Sequence, residues 1–234
     1  LAVPSPFVVQ FHDMSLFLLA NTQPKKSLLL VRTIMPALAR KASAIITPSE
    51  SAKRDVVSVL KVPSSKVHAI YEAAAPRYGV IGDRAVLDRA RRRYGLTDPY
   101  VLFVGTLEPR KNLRRLLEAF GRVRRAGRRE QLILVGQLGW KYRGLLREIE
   151  ACGLGSVVRL LGYVPDDDLP ALYNLARLVA FPSLYEGFGL PILEGMACGV
   201  PVLTSDCASM TELSGDAAVL VDPTDADALA AGLL

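Results

Sequence analysis

The chain predicts an α/β protein with two parallel sheets, one in each of two domains. Three observations carry this. Short apolar runs alternate with stretches of helical period along the whole length. The alternation breaks once, from Glu72 to Asp83, where Pro76, Gly79 and Gly82 interrupt the chain. The apolar runs also end on His12, Gly105, Gly136 and Pro182, at the carboxyl ends of strands, where open parallel sheets bind ligands.

The elements follow in order. Phe7–Phe11 is a buried strand ending at His12, and a helix within Leu28–Lys41 carries Leu29, Leu30, Ile34 and Leu38. Ala44–Thr47 is a short strand, Pro48 and Ser49 start a helix running to about Leu60, and Val67–Ile70 is the next strand. His68 inside it reads as ordinary packing. After the break comes an arginine-rich helix, Arg84–Tyr94, with Gly95 and Pro99 at its end. The second series opens with the strand Tyr100–Val104. A helix follows on the stripe Leu113, Leu116, Leu117, Phe120 and Val123. Gln131–Val135 is a strand, and Tyr142, Leu145, Leu146 and Ile149 mark a helix. Val157–Leu160, Leu178–Phe181 and Pro201–Thr204 continue the sheet, Val219–Val221 adds a strand, and Asp225–Leu234 starts a helix.

Composition narrows the function classes. With 234 residues, half of them hydrophobic, the chain has ample core for one large or two small domains. No apolar run reaches the roughly 18 residues of a membrane span. The first residues lack the basic start and apolar centre of a secretion signal, and Leu1 suggests that the true start lies upstream. Cys152, Cys198 and Cys207 form no CxxC pair, which fits a reduced, cytoplasmic setting. Cys198, among Gly and Ala, reads as core. The net charge is +6, with arginines clustered at 89, 91, 92 and 93 and again at 122, 124, 125, 128 and 129. They read first as solvated helix faces and ends that complement the dipole, and second as a surface for anionic lipid or polyphosphate. No recognition motif for nucleic acid accompanies them.

Glu186-Gly-Phe-Gly-Leu-Pro-Ile-Leu-Glu194 holds the most chemistry. Two carboxylates stand seven residues apart, the first in a glycine loop and the second inside an apolar run. Gly187, Phe188 and Gly189 make a loop that backbone amides can line, and Pro191 suits the first turn of a helix. A helix start favours phosphate, and flanking carboxylates favour hydroxyls, the combination a sugar nucleotide needs.

The same residues carry a family resemblance. Glu-x7-Glu within Phe181–Pro191, the following Gly195-Met-Ala-Cys-Gly-Val-Pro-Val, the stretch Val104–Asn112, Leu134-Val-Gly136 and Phe11-His12-Asp13 together resemble glycosyltransferase family four. The resemblance implies the GT-B fold, two Rossmann-like domains with parallel sheets facing a cleft, and retaining sugar transfer. It covers nearly the whole chain but only part of a usual member. Residues 1–94 would be an incomplete N-terminal, acceptor-side domain with the linker. Residues 95–234 would be the C-terminal donor-binding domain without its final helices.

By the same resemblance, Glu186 contacts donor-sugar hydroxyls and Glu194 the ribose, while amides of Phe188, Gly189 and Leu190 hold sugar or phosphate oxygens. Arg110 and Lys111, between a strand and a helix start, suit a pyrophosphate leaving group; Gly105 precedes them, and Thr106 stands where many members have arginine. His12 matches a histidine near the anomeric carbon, in a positioning or electrostatic role. Tyr163 and Val164 suit a base face and equally a core. Asp166-Asp167-Asp168 could pass for a metal-binding pair but precedes Leu169, Leu172 and Tyr173 at helical spacing, so capping explains it better. No metal and no cofactor is expected. The donor would be GDP-mannose or a UDP-hexose, and the acceptor a glycan or lipid-linked hydroxyl, with peripheral membrane contact as a further reading. A nucleotide-sugar epimerase, a phosphorylase of similar fold and a non-catalytic nucleotide-sugar binding module are the alternatives.

Overall fold

The computed structural model describes residues 6–22, 25–97, 99–140 and 142–234, with the backbone alone for 25–30. Leu1 and the side chains of Leu29 and Leu30 lie outside the described residues. In chain order the elements begin with β1 (Val8–Gln10), α1 (Ser15–Leu18), α2 (Lys25–Lys41), β2 (Ala44–Thr47), α3 (Glu50–Leu60) and β3 (Val67–Ala69). Then come α4 (Arg84–Tyr94), β4 (Tyr100–Val104), α5 (Leu113–Arg125), β5 (Gln131–Val135) and α6 (Tyr142–Ala151). Next are β6 (Val158–Gly162), α7 (Leu169–Leu175), β7 (Leu178–Phe181) and α8 (Leu190–Ala197). The series closes with β8 (Val202–Ser205), α9 (Ala208–Ser214), β9 (Val219–Val221) and α10 (Ala226–Leu233).

The chain divides into two compact units. One comprises Leu1–Ala73 with Tyr185–Gly189 and Cys207–Leu213; the other comprises Ala74–Leu184, Leu190–Asp206 and Ser214–Leu234.

The first unit holds a parallel sheet in the order β1-β2-β3. Its core gathers Phe11, Met14, Ile45, Val56, Leu60 and Val67. The Ser49 hydroxyl caps α3 by accepting from the Ala52 amide at 2.9 Å. His68 departs from its sequence reading. The alternation along β3 buries Val67 and leaves His68 exposed, so it does not pack in the core.

The second unit holds a six-stranded sheet in the order β6-β5-β4-β7-β8-β9, every pair parallel. The chain lays down β4, β5 and β6 outward in one direction, then returns beside β4 with β7 and continues the other way. The order therefore reverses between β4 and β7, and crevices form at the carboxyl ends of strands at such a reversal. Strands buried on both faces account for the unbroken apolar runs. Leu113, Leu116, Leu117, Phe120 and Val123 of α5 are all buried, as the stripe predicts. Each such side chain contributes about 1.5–3 kcal/mol relative to exposure. Val123 meets Leu203, Val221 and Leu229 in one cluster, and the Phe103 and Phe181 rings stack at 6.2 Å across β4 and β7. Arg91, Arg92 and Arg93 end α4, whose carbonyls at Arg91 and Arg92 receive the left-handed Gly95 amide. Arg122 pairs with Glu118 and Asp227. Among the described residues no helix is long and apolar enough to cross a membrane.

Candidate functional site

In the second unit Gly105 follows directly after β4, at the strand-order reversal. Its backbone lies so close to the next strand end that a Cβ on Gly136 would stand 2.1 Å from the Gly105 carbonyl oxygen. Gly136 also has a φ of +136°, which favours glycine. The close approach stacks the carboxyl ends of β4 and β5.

After Gly105 the chain makes a single 3₁₀ turn, Pro109–Lys111, and enters α5 through Asn112. Asn112 adopts the left-handed conformation, which asparagine tolerates better than most residues. Its side-chain amide donates to the Pro182 carbonyl at 3.0 Å and the Pro223 carbonyl at 2.7 Å. The Leu184 amide donates to the Arg110 carbonyl at 2.9 Å. Hydroxyls of Thr204 and Ser205, at the end of β8, bond the carbonyls of Phe181 and Ser183 at 2.9 and 2.6 Å. The loops after β4, β7 and β8 are thereby fastened together around the reversal point.

Lys111 is only 9% exposed. Its ammonium lies 4.9 Å from the centre of the Phe181 ring, and a Cβ on Gly105 would lie 3.7 Å from its Cε. The Arg110 guanidinium reaches one Glu108 carboxylate oxygen from Nε at 3.1 Å and from Nη2 at 2.9 Å, with both side chains largely buried. That pairing orients Arg110 and offsets part of its charge.

Helix α8 starts at Leu190, with Pro191 in its first turn. Glu194, one turn further on, is half-buried. Burial raises its pKa, and the nearby phenols of Tyr173 and Tyr78 pull the other way without cancelling the shift. Tyr173 donates to Oε2 at 2.6 Å. A phenol from α7 thus supplies the polar partner that a buried carboxylate requires. Cys198, at the end of α8, is buried and its thiol is pushed up by desolvation. After β6, Tyr163 and Val164 part company: Tyr163 is 67% exposed, whereas Val164 is 2% exposed and belongs to the core.

The three aspartates do not behave as a capping sequence. Asp168 stands at the start of α7 but makes no side-chain cap, because its carboxylate accepts from the Tyr94 phenol and pairs with Arg93 at 2.9 Å. Asp166 faces Arg77 at 3.8 Å. An ion pair and a phenol satisfy Asp168 in place of the amides of α7. Among the described residues no group of three or more His, Cys, Asp or Glu side chains is placed to hold a metal.

The first unit holds the remaining candidates. Gly187 packs on the His12 backbone, and the Ser49 hydroxyl donates to the Gly187 carbonyl at 2.6 Å. The Ser209 hydroxyl lies within reach of the Glu186 and Phe188 carbonyls. Two hydroxyls, of Ser49 and Ser209, thus anchor the backbone of 186–188. Tyr185 donates to Asp55 at 2.6 Å and accepts from the Met14 amide at 3.2 Å. Glu186 is 9% exposed and Phe188 is buried, its ring 6.3 Å from that of Tyr71. The His12 side chain is 71% exposed, with Nδ1 3.6 Å from Glu72. The Glu212 carboxylate, on α9, accepts from the Glu50 and Ser51 amides at 2.8 Å each and from the Tyr71 phenol at 2.6 Å, closing the N-terminus of α3.

Residues 87–234 match the family described as glycosyl transferases group 1. The chain belongs to that family. This glycosyl transferase chain is 37% identical over 228 residues to the O-antigen chain mannosyltransferase B of Escherichia coli, covering 97% of itself and 60% of that relative. It is 35% identical over 189 residues to the serotype-specific mannosyltransferase WbdA of Escherichia coli, covering 79% of itself and 23% of WbdA. The chain therefore spans less than two thirds of the length of these relatives. Among solved structures it shares the fold of Anabaena HepE in complex with UDP-glucose, at a TM-score of 0.81 and 24% identity, covering 97% of this chain and 61% of that one. The neighbours are glycosyltransferases of the GT-B fold, which fixes the fold class read from the sequence.

Proposed function

We propose that the protein carrying this chain moves a hexose, mannose foremost, from a nucleotide-diphosphate sugar to a hydroxyl of a glycan or lipid-linked acceptor with retained anomeric configuration. Residues 95–234 serve the donor and residues 1–94 the acceptor side. The observation that carries this is the buried Lys111 ammonium beside Gly105 at the strand-order reversal, with α5 starting directly after it. A cation held in low-dielectric surroundings next to a helix start is what a departing diphosphate requires. The names of the two mannosyltransferase relatives support the choice of sugar and a saccharide acceptor.

In this reading Lys111 and Arg110 neutralise charge that develops on the leaving diphosphate. Glu186 orients the donor sugar through its hydroxyls, and Glu194 binds the ribose. Amides of Phe188, Gly189 and Leu190 hold sugar or phosphate oxygens, and Tyr163 offers its exposed ring to the base. His12 acts near the anomeric carbon by position and field. No side chain is assigned as nucleophile, so the acceptor attacks on the face that the diphosphate leaves, and no metal takes part.

The test is a binding panel of GDP-mannose, UDP-glucose and UDP-galactose on the whole protein, followed by incubation of the tightest donor, labelled in its sugar, with a glycan acceptor. Transfer with retained configuration is expected. A changed sugar would point to an epimerase, phosphate-dependent cleavage to a phosphorylase, and binding without turnover to a binding module; each outcome overturns the proposal.

A further inference from the structure

We propose that Tyr173, assisted by Tyr78, is a positioning residue that holds the Glu194 carboxylate in the orientation that receives the ribose hydroxyls. The inference rests on the ribose role of Glu194 given above and adds the groups through which that role is exerted.

The geometry begins on α7. Tyr173 is fully buried, and its hydroxyl donates to Glu194 Oε2 at 2.6 Å. Its ring meets that of Tyr78 edge-on, with centroids 5.7 Å apart and planes at 82°. The Tyr78 phenol lies close enough to the same carboxylate to pull its pKa down. Tyr78 lies in the irregular stretch before α4, where a free segment would not hold a side chain in place. The neighbouring Asn174 supplies the fixing. Its side chain donates to the Gly79 carbonyl at 2.9 Å and accepts from the Ile81 amide at 2.8 Å. Two successive residues of α7 thus do complementary work: Tyr173 bonds Glu194, and Asn174 pins the segment that brings Tyr78 to it.

The kind of partner matters as much as its place. A carboxylate has about four acceptor positions. A bidentate arginine would use two of them and cancel the charge. The Tyr173 phenol uses one position, leaves the charge in place and keeps acceptor capacity for two further hydroxyls, which is what a ribose 2′,3′-diol presents. The nearby cation, Arg77, faces Asp166 at 3.8 Å. The titratable groups around Glu194 are therefore Tyr173 from α7, Tyr78 and Arg77 from the irregular stretch, Asp166 from the loop before α7, and Cys198 from the end of α8.

The experiment is calorimetry on the whole protein with GDP and UDP, each beside its 2′,3′-dideoxy form, across pH 4.5–8. The unmodified protein should prefer the ribose form by about tenfold or more. Tyr173→Phe should remove most of that preference, leave affinity for the dideoxy form unchanged and move the acid limit of binding to higher pH. Tyr78→Phe should do the same more weakly. Tyr173→Phe added to Glu194→Gln should change nothing further. If Tyr173→Phe weakens ribose and dideoxy forms alike, or acts as strongly on top of Glu194→Gln, the tyrosine is merely structural and the proposal falls. If Glu194→Gln abolishes the ribose preference while neither tyrosine variant affects it, the proposal falls and the ribose reading stands. If Glu194→Gln keeps the preference, the ribose reading fails and takes the proposal with it.

Discussion

A Cβ placed on Gly187 would stand 1.7 Å from the carbonyl oxygen of His12. The obstacle is backbone, which cannot rotate aside as a side-chain tip can. Gly187→Ala should therefore cost about 1–3 kcal/mol of stability, read as a lower denaturant midpoint at unchanged slope. Gly144→Ala, where added carbon meets nothing within 4 Å in α6, is the control and should leave stability equal or slightly higher.

Lys111→Met keeps the length of a buried side chain and removes its charge. Binding of the nucleoside diphosphate should weaken about ten- to hundredfold by calorimetry, while the free nucleoside binds as before. Equal losses for both ligands would mean that the substitution disturbs the crevice as a whole and that the ammonium does not serve the diphosphate.

Glu194 gives a pH dependence of stability with a definite sign. Burial raises its folded pKa above the ordinary carboxylate value, so the folded state holds a proton that the unfolded chain has released. Its contribution should therefore fall as pH rises from the ordinary carboxylate value through the raised one. Glu194→Gln removes that slope. Denaturation at pH 4 and pH 7 should show the variant gaining on the parent as pH increases.

Glu212 works in the opposite direction. Desolvation, the largest single influence, pushes its pKa up, but bonds from Tyr71 and the Glu50 and Ser51 amides, with Arg54 nearby, bring the net value below the ordinary one. Its stabilisation is present above the unfolded-state pKa and is lost as pH falls through the lowered folded value. Glu212→Gln should lower the melting temperature at pH 7, and the gap should close under strong acid.

The periodic parts of the fold were legible because burial follows spacing: the α5 stripe and the runs that became β4, β5 and β7 need only their own residues to be read. The polar partners were not. Nothing near Glu194 in sequence points to Tyr173, and Tyr78 sits in a stretch that reads as connection alone. Asp168 had the position of a cap, but an arginine and a tyrosine from α4 compete better for its carboxylate. His68 had the look of a buried strand residue, yet period two on a sheet with one covered face turns it outward. Long-range hydrogen bonds leave no period, so residues such as Asn112 and Ser209 become visible only once strand order brings distant loops together.

The reversal between β4 and β7 also orders events during synthesis. Val101 and Leu102 pair with Leu178 and Val179, but β5, α6, β6 and α7 are made in between. A nascent chain leaves the ribosome at about 5–20 residues per second, so β4 waits on the order of seconds for its central neighbour. During that wait Asn112 has neither Pro182 nor Pro223 to bond, and Lys111 lacks the Phe181 ring. The loop cluster around Asn112 is thus among the last parts of the second unit to exist. An incompletely translated chain carries Arg110 and Lys111 without the residues of β7 and the loop after it that pack against them.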